Sequence, residues 1–170
     1  MALDQLWAGW RHAYVVAATD AERAGASGGC VFCALAASGP ATADNGVVWR
    51  SARTVAALNA YPYASGHLLV FPARHLAELD ELDEDEAGEL WRATRAAAAA
   101  LRAAYRPDGL NIGANLGRAA GAGIPAHLHL HALPRWAGDT NFMTSVARTR
   151  VLPESLADAW AKLHRAWPAD

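Results

Sequence analysis

Short apolar runs, separated by glycine, proline and polar residues, recur along the chain and predict a small β-sheet. The runs are Val47–Arg50, Thr54–Asn59, His67–Phe71, Leu110–Leu116 and His127–Leu133. Only three residues separate the first two runs, which predicts a hairpin. We expect the third strand to end at Pro72 and the last at Pro134, because proline has no N–H to donate to a neighbouring strand.

Two longer segments have the boundary residues of helices. Asp83–Tyr105 begins at Asp83, a favourable N-cap, and is followed by a proline-aspartate-glycine break at 107–109. Glu154–Trp167 follows a proline, which suits the first turn of a helix. A short helical turn is predicted at His75–Leu79. The order β-β-β-α-β-β-α with short connections predicts an α+β fold, a single domain built on an antiparallel sheet.

Composition narrows the class of protein. The chain has 170 residues, of which 53% are hydrophobic and 19% charged, so it can bury a sizeable core. A net charge of −2 argues against a nucleic-acid partner, because there is no excess of cations to neutralise a phosphate backbone. There is no apolar run of about 18 residues and no signal-peptide pattern, so we expect a cytoplasmic protein without membrane contact.

Three histidines alternate with apolar residues near the end of the predicted sheet. Alternate residues of a strand face the same side, so His127, His129 and His131 are expected to share one face. Leu128, Leu130 and Ala132 would pack into the core on the other face. A solvated histidine strip and a zinc or copper site are the alternatives for such a pattern.

A glycine-rich turn, Gly117–Gly123, lies just before these histidines. Backbone N–H groups in glycine conformations can bind a phosphate, although an ordinary turn has the same composition. Together with histidines that can act as nucleophiles, the turn favours phosphoryl chemistry at a bound nucleotide.

Several blocks of the sequence resemble a known family. H-L-H-L-H-A-L at 127–133, followed by Pro134-Arg-Trp at 134–136, resembles the histidine triad (HIT) superfamily. Gly66-His-Leu-Leu-Val at 66–70 resembles the block with that family's fourth histidine, and 57–62 and 109–111 resemble two of its strands. The segment 134–143, PRWAGDTNFM, most resembles the branch of diadenosine tetraphosphate (Ap4A) phosphorylases and hydrolases.

The resemblance implies a bent antiparallel sheet with two main helices and a homodimer. The similarity covers residues 30–136, which would form the catalytic domain, and the irregular segment 1–29 before it is predicted to be an N-terminal arm. A C-terminal extension at 137–170 would carry a helix and pack on the same domain.

The resemblance further implies a catalytic set made of His67, His127, His129 and His131. His129 would be the nucleophile that attacks the α-phosphorus and forms a nucleotidyl-histidine. His131 would contact phosphate oxygens or the leaving group, and His67 would fix the tautomer of the cluster.

Substrate contacts are implied by the same resemblance. Asn59 would hold a ribose hydroxyl, and Asn115, Gly121 and Gly123 would hold phosphate oxygens. Relatives often place a hydroxyl or amide side chain at the position of Gly123, so the chain departs from the family there. Trp136 follows the triad within reach of a substrate and is predicted to contact it.

Cys30 and Cys33 form a C-x-x-C pair, which by itself suits a free thiol pair, a redox pair or half of a zinc site. The resemblance implies that His75 and His127 complete a structural zinc site. No redox cofactor is expected.

The predicted function is cleavage of dinucleoside polyphosphates such as Ap4A, with inorganic phosphate or water accepting the nucleotidyl group. The alternatives are a purine nucleoside phosphoramidase, a non-catalytic nucleotide-binding module and a protein that binds metal through all three triad histidines.

Overall fold

The computed structural model describes residues 29–139 and 154–169. These residues form five strands and three α-helices. The strands are β1 (Val47–Arg50), β2 (Thr54–Leu58), β3 (Leu68–Pro72), β4 (Gly109–Ala114) and β5 (Leu130–Arg135). The α-helices are α1 (Val31–Ala37), α2 (Glu84–Tyr105) and α3 (Leu156–Ala166), and 3-10 turns lie at Leu79–Glu81 and Arg118–Ala120. The predicted arm at 1–29 lies outside the described residues except for Gly29.

All strand pairs in the sheet are antiparallel, and the order is β1-β2-β3-β5-β4. β1 and β2 form the predicted hairpin, with an irregularity between Val47 and Trp49. The expected α+β fold with an antiparallel sheet is therefore confirmed. None of the described helices is long and apolar enough to cross a bilayer.

Helices cover both faces of the sheet. On one face, α2 and α3 pack against residues such as Val48, Leu68 and Val70. On the other face, Phe32 of α1 packs against Val55, Leu69 and Phe71, among others. Because apolar groups cover both faces, every residue of β2 and β3 is buried. The residues with candidate catalytic and metal-binding roles lie on the face covered by α1.

Capping explains the bounds of α2. The Asp83 carboxylate accepts a hydrogen bond from the backbone N–H of Glu86, and the Glu86 side chain accepts one from the N–H of Asp83. At the other end, Arg106 adopts a left-handed conformation with φ 45°, and the break at 107–109 follows. The predicted start and end of this helix are confirmed.

The predicted C-terminal helix begins at Leu156, two residues later than expected, with Ser155 as its N-cap. It packs on the sheet through Ala159 and Leu163. The indole N–H of Trp160 donates to the Val47 carbonyl at 2.7 Å, which ties this segment to the edge strand β1.

The predicted triad strand starts too early and ends too early. β5 begins at Leu130, because the N–H of Leu128 donates to the Leu76 carbonyl at 2.7 Å instead of joining the ladder. Pro134 lies inside β5 and faces Leu110 of β4. The pairing of β5 with β3 ends at Ala132, so beyond that residue β5 has a neighbour on one side only and tolerates proline.

Three smaller differences concern local structure. α1 was not predicted. The helical turn expected at His75–Leu79 is a 3-10 turn at Leu79–Glu81. β4 ends at Ala114 rather than at Leu116, so the strand stops two residues earlier than predicted, before the glycine-rich turn at 117–123.

Candidate active site and adjacent cysteine-histidine cluster

A cavity of about 140 Å³ opens on the α1 face beside the histidines. Its lining residues come from α1, the loop between β2 and β3, β3 itself, the segment from the end of β4 through the glycine-rich turn, and the start of β5. They are Phe32, Asn59, Tyr61, Tyr63, Leu69, Asn115, Gly121, Gly123, Ile124, His129 and His131. Six of them are predicted site residues, and the fold brings them to one place: Asn59, Asn115, Gly121, Gly123, His129 and His131.

His129 is held with one ring nitrogen available for chemistry. Its Nδ1 lies 2.8 Å from the backbone carbonyl of His127, which can only accept, so Nδ1 carries the proton. The lone pair of the neutral ring is then on Nε2. Burial lowers the pKa of His129, which favours this neutral form. At neutral pH the ring therefore has an unprotonated nitrogen, Nε2.

His67 and His131 are joined by a hydrogen bond between His67 Nε2 and His131 Nδ1, 2.9 Å apart. The N–H of Tyr63 donates to His67 Nδ1 at 3.1 Å, so a neutral His67 carries its proton on Nε2. That proton is donated to His131 Nδ1, which leaves the proton of a neutral His131 on its own Nε2. His67 therefore fixes the tautomer of His131.

His67 stays neutral over the ordinary pH range. It is completely buried, and burial together with the neighbouring His131 and His129 lowers the pKa of His67 to about 3. A charged His67 would have to be desolvated beside two other imidazoles. The direction of its hydrogen bond to His131 is consequently constant.

Asn59 positions the loop that contains the cavity's tyrosines. Its Oδ1 accepts from the N–H of Tyr61 at 2.9 Å, and its Nδ2 lies 3.2 Å from His67 Nδ1. Asn59 thus borders the cavity and also supports His67.

The glycine-rich turn uses part of its own hydrogen-bonding capacity. Gly117 and Gly121 have φ values of 73° and 88°, which only glycine adopts readily. The N–H of Gly121 donates to the Arg118 carbonyl and that of Ala122 to the Gly117 carbonyl. These two donors therefore close the turn, while Gly123 borders the cavity.

The structure does not bring Trp136 to the cavity. Trp136 directly follows β5, in which Leu130 and Ala132 face α2 while His131 borders the cavity on the other side. The ring of Trp136 meets the ring of Tyr105 edge-on, with centroids 6.2 Å apart.

His127 belongs to a second cluster with Cys30, Cys33 and His75. One potential ligand atom from each residue lies within 4.8 Å of the others. Cys30 Sγ is 3.2 Å from His127 Nδ1, and Cys33 Sγ is 3.2 Å from His75 Nδ1. The side chain of His127 thus lies with the cysteines and does not border the cavity, although the sequence also predicted it as a member of the catalytic set.

The residues of this cluster fit a four-coordinate metal ion. His127 Nε2 donates to the Pro72 carbonyl at 2.8 Å, which leaves the Nδ1 lone pair towards the thiols. Burial lowers the pKa of His127 and keeps the imidazole neutral, as a ligand must be. Two thiols and two imidazoles without an open position form a closed, structural type of site.

Sequence reasoning missed the aromatic and apolar walls of the cavity. These are Phe32, Tyr61, Tyr63, Leu69 and Ile124. Phe32 stands between the two cysteines in the chain, and that position was the available signal. The role of Tyr63 depends on its backbone N–H, which no side-chain pattern reports.

Comparisons with known proteins agree with this geometry. The model of the HIT domain family matches residues 41–138. A protein of Mycobacterium tuberculosis named AP-4-A phosphorylase is 42% identical over 121 residues, which are 71% of this chain and 62% of that protein. The chain thus matches less than two thirds of the length of that relative.

Two solved structures share the fold. The first is a hypothetical histidine triad nucleotide-binding protein from Sulfolobus tokodaii, with a TM-score of 0.65 and 28% identity over 81% of this chain and 91% of that one. A Zn-bound histidine triad family protein from Mycobacterium smegmatis has a TM-score of 0.65 and 27% identity over 82% of this chain and 93% of that one. With more than half of its length matched by the family model and its histidines arranged as described, the chain belongs to the HIT family.

Proposed function

We propose that this protein is an enzyme that cleaves dinucleoside polyphosphates such as Ap4A through a nucleotidyl-histidine intermediate on His129. One observation carries the proposal. The hydrogen bond from His129 Nδ1 to the His127 carbonyl leaves the Nε2 lone pair at a cavity bordered by Asn59, Asn115 and Gly123. The name of the Mycobacterium tuberculosis relative supports this choice of substrate.

In the first step, His129 Nε2 attacks the α-phosphorus of the substrate. A P–N bond forms and the P–O bond to the rest of the polyphosphate breaks, so AMP is attached to His129 and ATP leaves. The ring becomes positively charged, and the His127 carbonyl that accepts from Nδ1–H stabilises this charge. The intermediate divides one difficult displacement into two easier ones.

In the second step, an oxygen of inorganic phosphate or water attacks the same phosphorus. The P–N bond breaks and its electron pair returns to Nε2. Phosphate yields ADP and water yields AMP, and in either case the proton lost by the acceptor passes to solvent.

The remaining predicted residues act on the phosphates and the ribose. We assign to His131 Nε2–H a hydrogen bond to an α-phosphate or leaving oxygen, because His67 holds the proton on that nitrogen. Asn115 and the backbone of Gly123 would bind further phosphate oxygens, and Asn59 a ribose hydroxyl. Trp136 is left out of this assignment because it faces α2.

We also propose that Cys30, Cys33, His75 and His127 bind one structural Zn²⁺. Sulfur and imidazole are the ligands that zinc prefers in closed tetrahedral sites. The Zn-bound relative from Mycobacterium smegmatis supports the choice of metal. The ion would attach α1 to the segment before β5.

A homodimer is proposed from the exposed edge of the sheet. β4 is an edge strand with most residues exposed, and Ile112 presents an apolar side chain to solvent there. An exposed edge strand without charged residues favours pairing with another chain. Light scattering on the purified protein would give the mass of a dimer.

The cytoplasmic location and the domain bounds stay predictions.

The test of the function is turnover of Ap4A with and without inorganic phosphate, with products identified by mass. Phosphate-dependent ATP and ADP would identify a phosphorylase, and phosphate-independent ATP and AMP a hydrolase. His129→Ala should lower either rate by about 10³-fold or more. His164→Ala removes an imidazole on α3, away from the cavity, and should retain activity.

Two outcomes would contradict the proposal. Cleavage of AMP-linked amines without turnover of Ap4A would favour the phosphoramidase. Unchanged turnover in a folded His129→Ala variant would remove the nucleophile assignment.

A further inference from the structure

Phe32 lies between the two cysteines in the chain and between the two sites in space. Its ring centroid is 4.8 Å from that of His129 and 5.3 Å from that of His127. The side chain is only 2% exposed and also forms part of the cavity wall. Phe32 therefore contacts the proposed nucleophile, a proposed metal ligand and the proposed nucleotide site.

Two connections lead from the cysteine-histidine cluster to His129. The first is the backbone of His127, whose carbonyl accepts from His129 Nδ1 at 2.8 Å. The second is Phe32, whose backbone is fixed on both sides by Cys30 and Cys33. Movement of the cysteines would thus shift the side chain that packs against the nucleophile.

Among the described residues, few contacts fix the beginning of α1. The helix has seven residues, its N-cap Cys30 makes no side-chain capping bond, and its first turn has no acidic residue. A helix this short is not stable by itself. The guanidinium of Arg50 donates to the carbonyls of Ala36 and Gly39, which holds the end of the helix. Within the described part of the chain, the beginning is held by the cysteine-histidine cluster and by the packing of Phe32 with Phe71, whose ring centroids are 4.6 Å apart.

We propose that Phe32 is a positioning residue that links the cysteine-histidine cluster to His129 and the cavity. A metal ion in the cluster and a nucleotide in the cavity would then bind cooperatively. The inference rests on the proposed function, because it requires a nucleotide in this cavity. When the metal holds both cysteines, Phe32 packs against the His129 ring and completes the apolar wall. A nucleotide that contacts this wall then favours the same position of α1.

Thermodynamic linkage makes the coupling reciprocal. If metal raises the affinity for a nucleotide by some factor, the nucleotide raises the affinity for metal by the same factor. Couplings between two sites are typically about 5–150-fold. The effect can therefore be measured on the zinc-loaded protein without any turnover.

The experiment measures the zinc affinity of the purified protein by equilibrium competition with a chromogenic chelator, with and without saturating AMP. AMP is the probe, and calorimetry first establishes its binding. The variants are Phe32→Ala, Phe32→Leu and the control Leu35→Ala. Leu35 packs on the same cluster of apolar residues from α1 but does not border the cavity.

We expect AMP to raise the zinc affinity of the wild type and of Leu35→Ala by about 5-fold or more. In Phe32→Ala the increase should fall below about 2-fold although zinc still binds, and Phe32→Leu should restore part of it because it restores apolar bulk. Chelation of zinc by AMP itself would appear equally in every variant. With zinc bound, kcat of Phe32→Ala should fall more than its KM rises.

The proposed coupling is overturned if AMP binds the wild type and leaves its zinc affinity unchanged. It is also overturned if AMP raises the zinc affinity of Phe32→Ala as much as that of the wild type. Absence of AMP binding to the wild type would instead overturn the proposed function, and this inference with it. Loss of zinc from Phe32→Ala in both conditions would show a purely structural role and also overturn the proposal.

Discussion

The ring of Tyr105 lies directly against the α-carbon of Gly66. A β-carbon on residue 66 would be 2.5 Å from Tyr105 Cε2, closer than real contacts permit. The Tyr105 hydroxyl donates to Glu154 Oε1 at 2.6 Å, and the other oxygen of Glu154 accepts from Lys162 at 2.6 Å. The end of α2 and the start of α3 thus hold the turn that leads into His67.

Gly66→Ala should destabilise the protein and disturb His67. Gly66 has φ 75°, so a side chain adds backbone strain as well as the clash with Tyr105. We expect a loss of about 2–4 kcal/mol in the free energy of unfolding, measured by denaturant titration. Gly46→Ala is the control, because φ is 69° there but a β-carbon on residue 46 would be 4.0 Å from its nearest neighbour, Leu58 Cβ. Its loss should be about 1 kcal/mol, from strain alone, and equal losses would refute the clash.

His67 should make the folded state sensitive to acid. Its pKa is about 3 when folded and about 6.5 when unfolded, so between these pH values the unfolded chain binds more protons. The free energy of unfolding should therefore decrease as the pH falls from 6.5 towards 3, by up to about 1.4 kcal/mol per pH unit from this group.

His67→Gln tests this contribution in urea titrations at several pH values. The variant should show a shallower decrease than the wild type over the same interval. His164→Gln, changed at an exposed histidine of α3, controls for loss of an imidazole as such. An identical slope in the wild type and His67→Gln would contradict the assignment.

His75→Asn should release the proposed zinc ion without changing His129, the proposed nucleophile. We expect zinc content well below one ion per chain and a Tm that no longer rises with added zinc, because the stabilisation by a ligand follows its occupancy. Elemental analysis and calorimetry provide the measurement. His129→Ala should retain full zinc, since His129 Nδ1 bonds to a carbonyl. Zinc loss in His129→Ala would instead support a metal site made of the triad histidines.

Glu86 should matter for stability far more than its neighbour Asp85. The Glu86 carboxylate accepts from Arg74 Nε at 2.8 Å and from Arg74 Nη2 at 2.6 Å, and its side chain is 8% exposed. The bond to Arg74 lowers the pKa of Glu86 to about 2. Glu86→Gln should reduce the free energy of unfolding by about 1–2 kcal/mol at pH 7.

The control for this pair is Asp85→Asn. Asp85 and Arg53 also form an ion pair, at 3.3 Å, but both side chains are exposed. The change in the free energy of unfolding caused by Asp85→Asn should stay below about 0.5 kcal/mol. Because the folded pKa of Glu86 is below the unfolded value of about 4.3, its contribution is present above that pH and is lost as the pH falls towards 2. Equal effects of the two variants at pH 7 would contradict the prediction.

Local patterns predicted the elements whose signals lie within a few residues. Asp83 and Glu86 cap α2 because both partners are in the first turn. The hairpin of β1 and β2 follows from two apolar runs with a short connection. Alternation also assigned the histidines and Leu128 to opposite faces, although β5 itself begins at Leu130. The predicted end of the strand at Pro134 was wrong, because proline is tolerated where a strand has a neighbour on one side only, and the sequence does not show which strands flank β5.

By itself, the sequence determined the order of the five strands and the two longer helices and the family of the histidine pattern, and through that resemblance the identity of the four potential metal ligands. Only the tertiary structure separated His127 from His129 and gave each its tautomer. Their partners are Pro72, Cys30 and a neighbouring carbonyl, and the first two lie 55 and 97 residues away in the chain. Hydrogen bonds over such separations depend on how the sheet and α1 pack together, and no local pattern of residues encodes that packing.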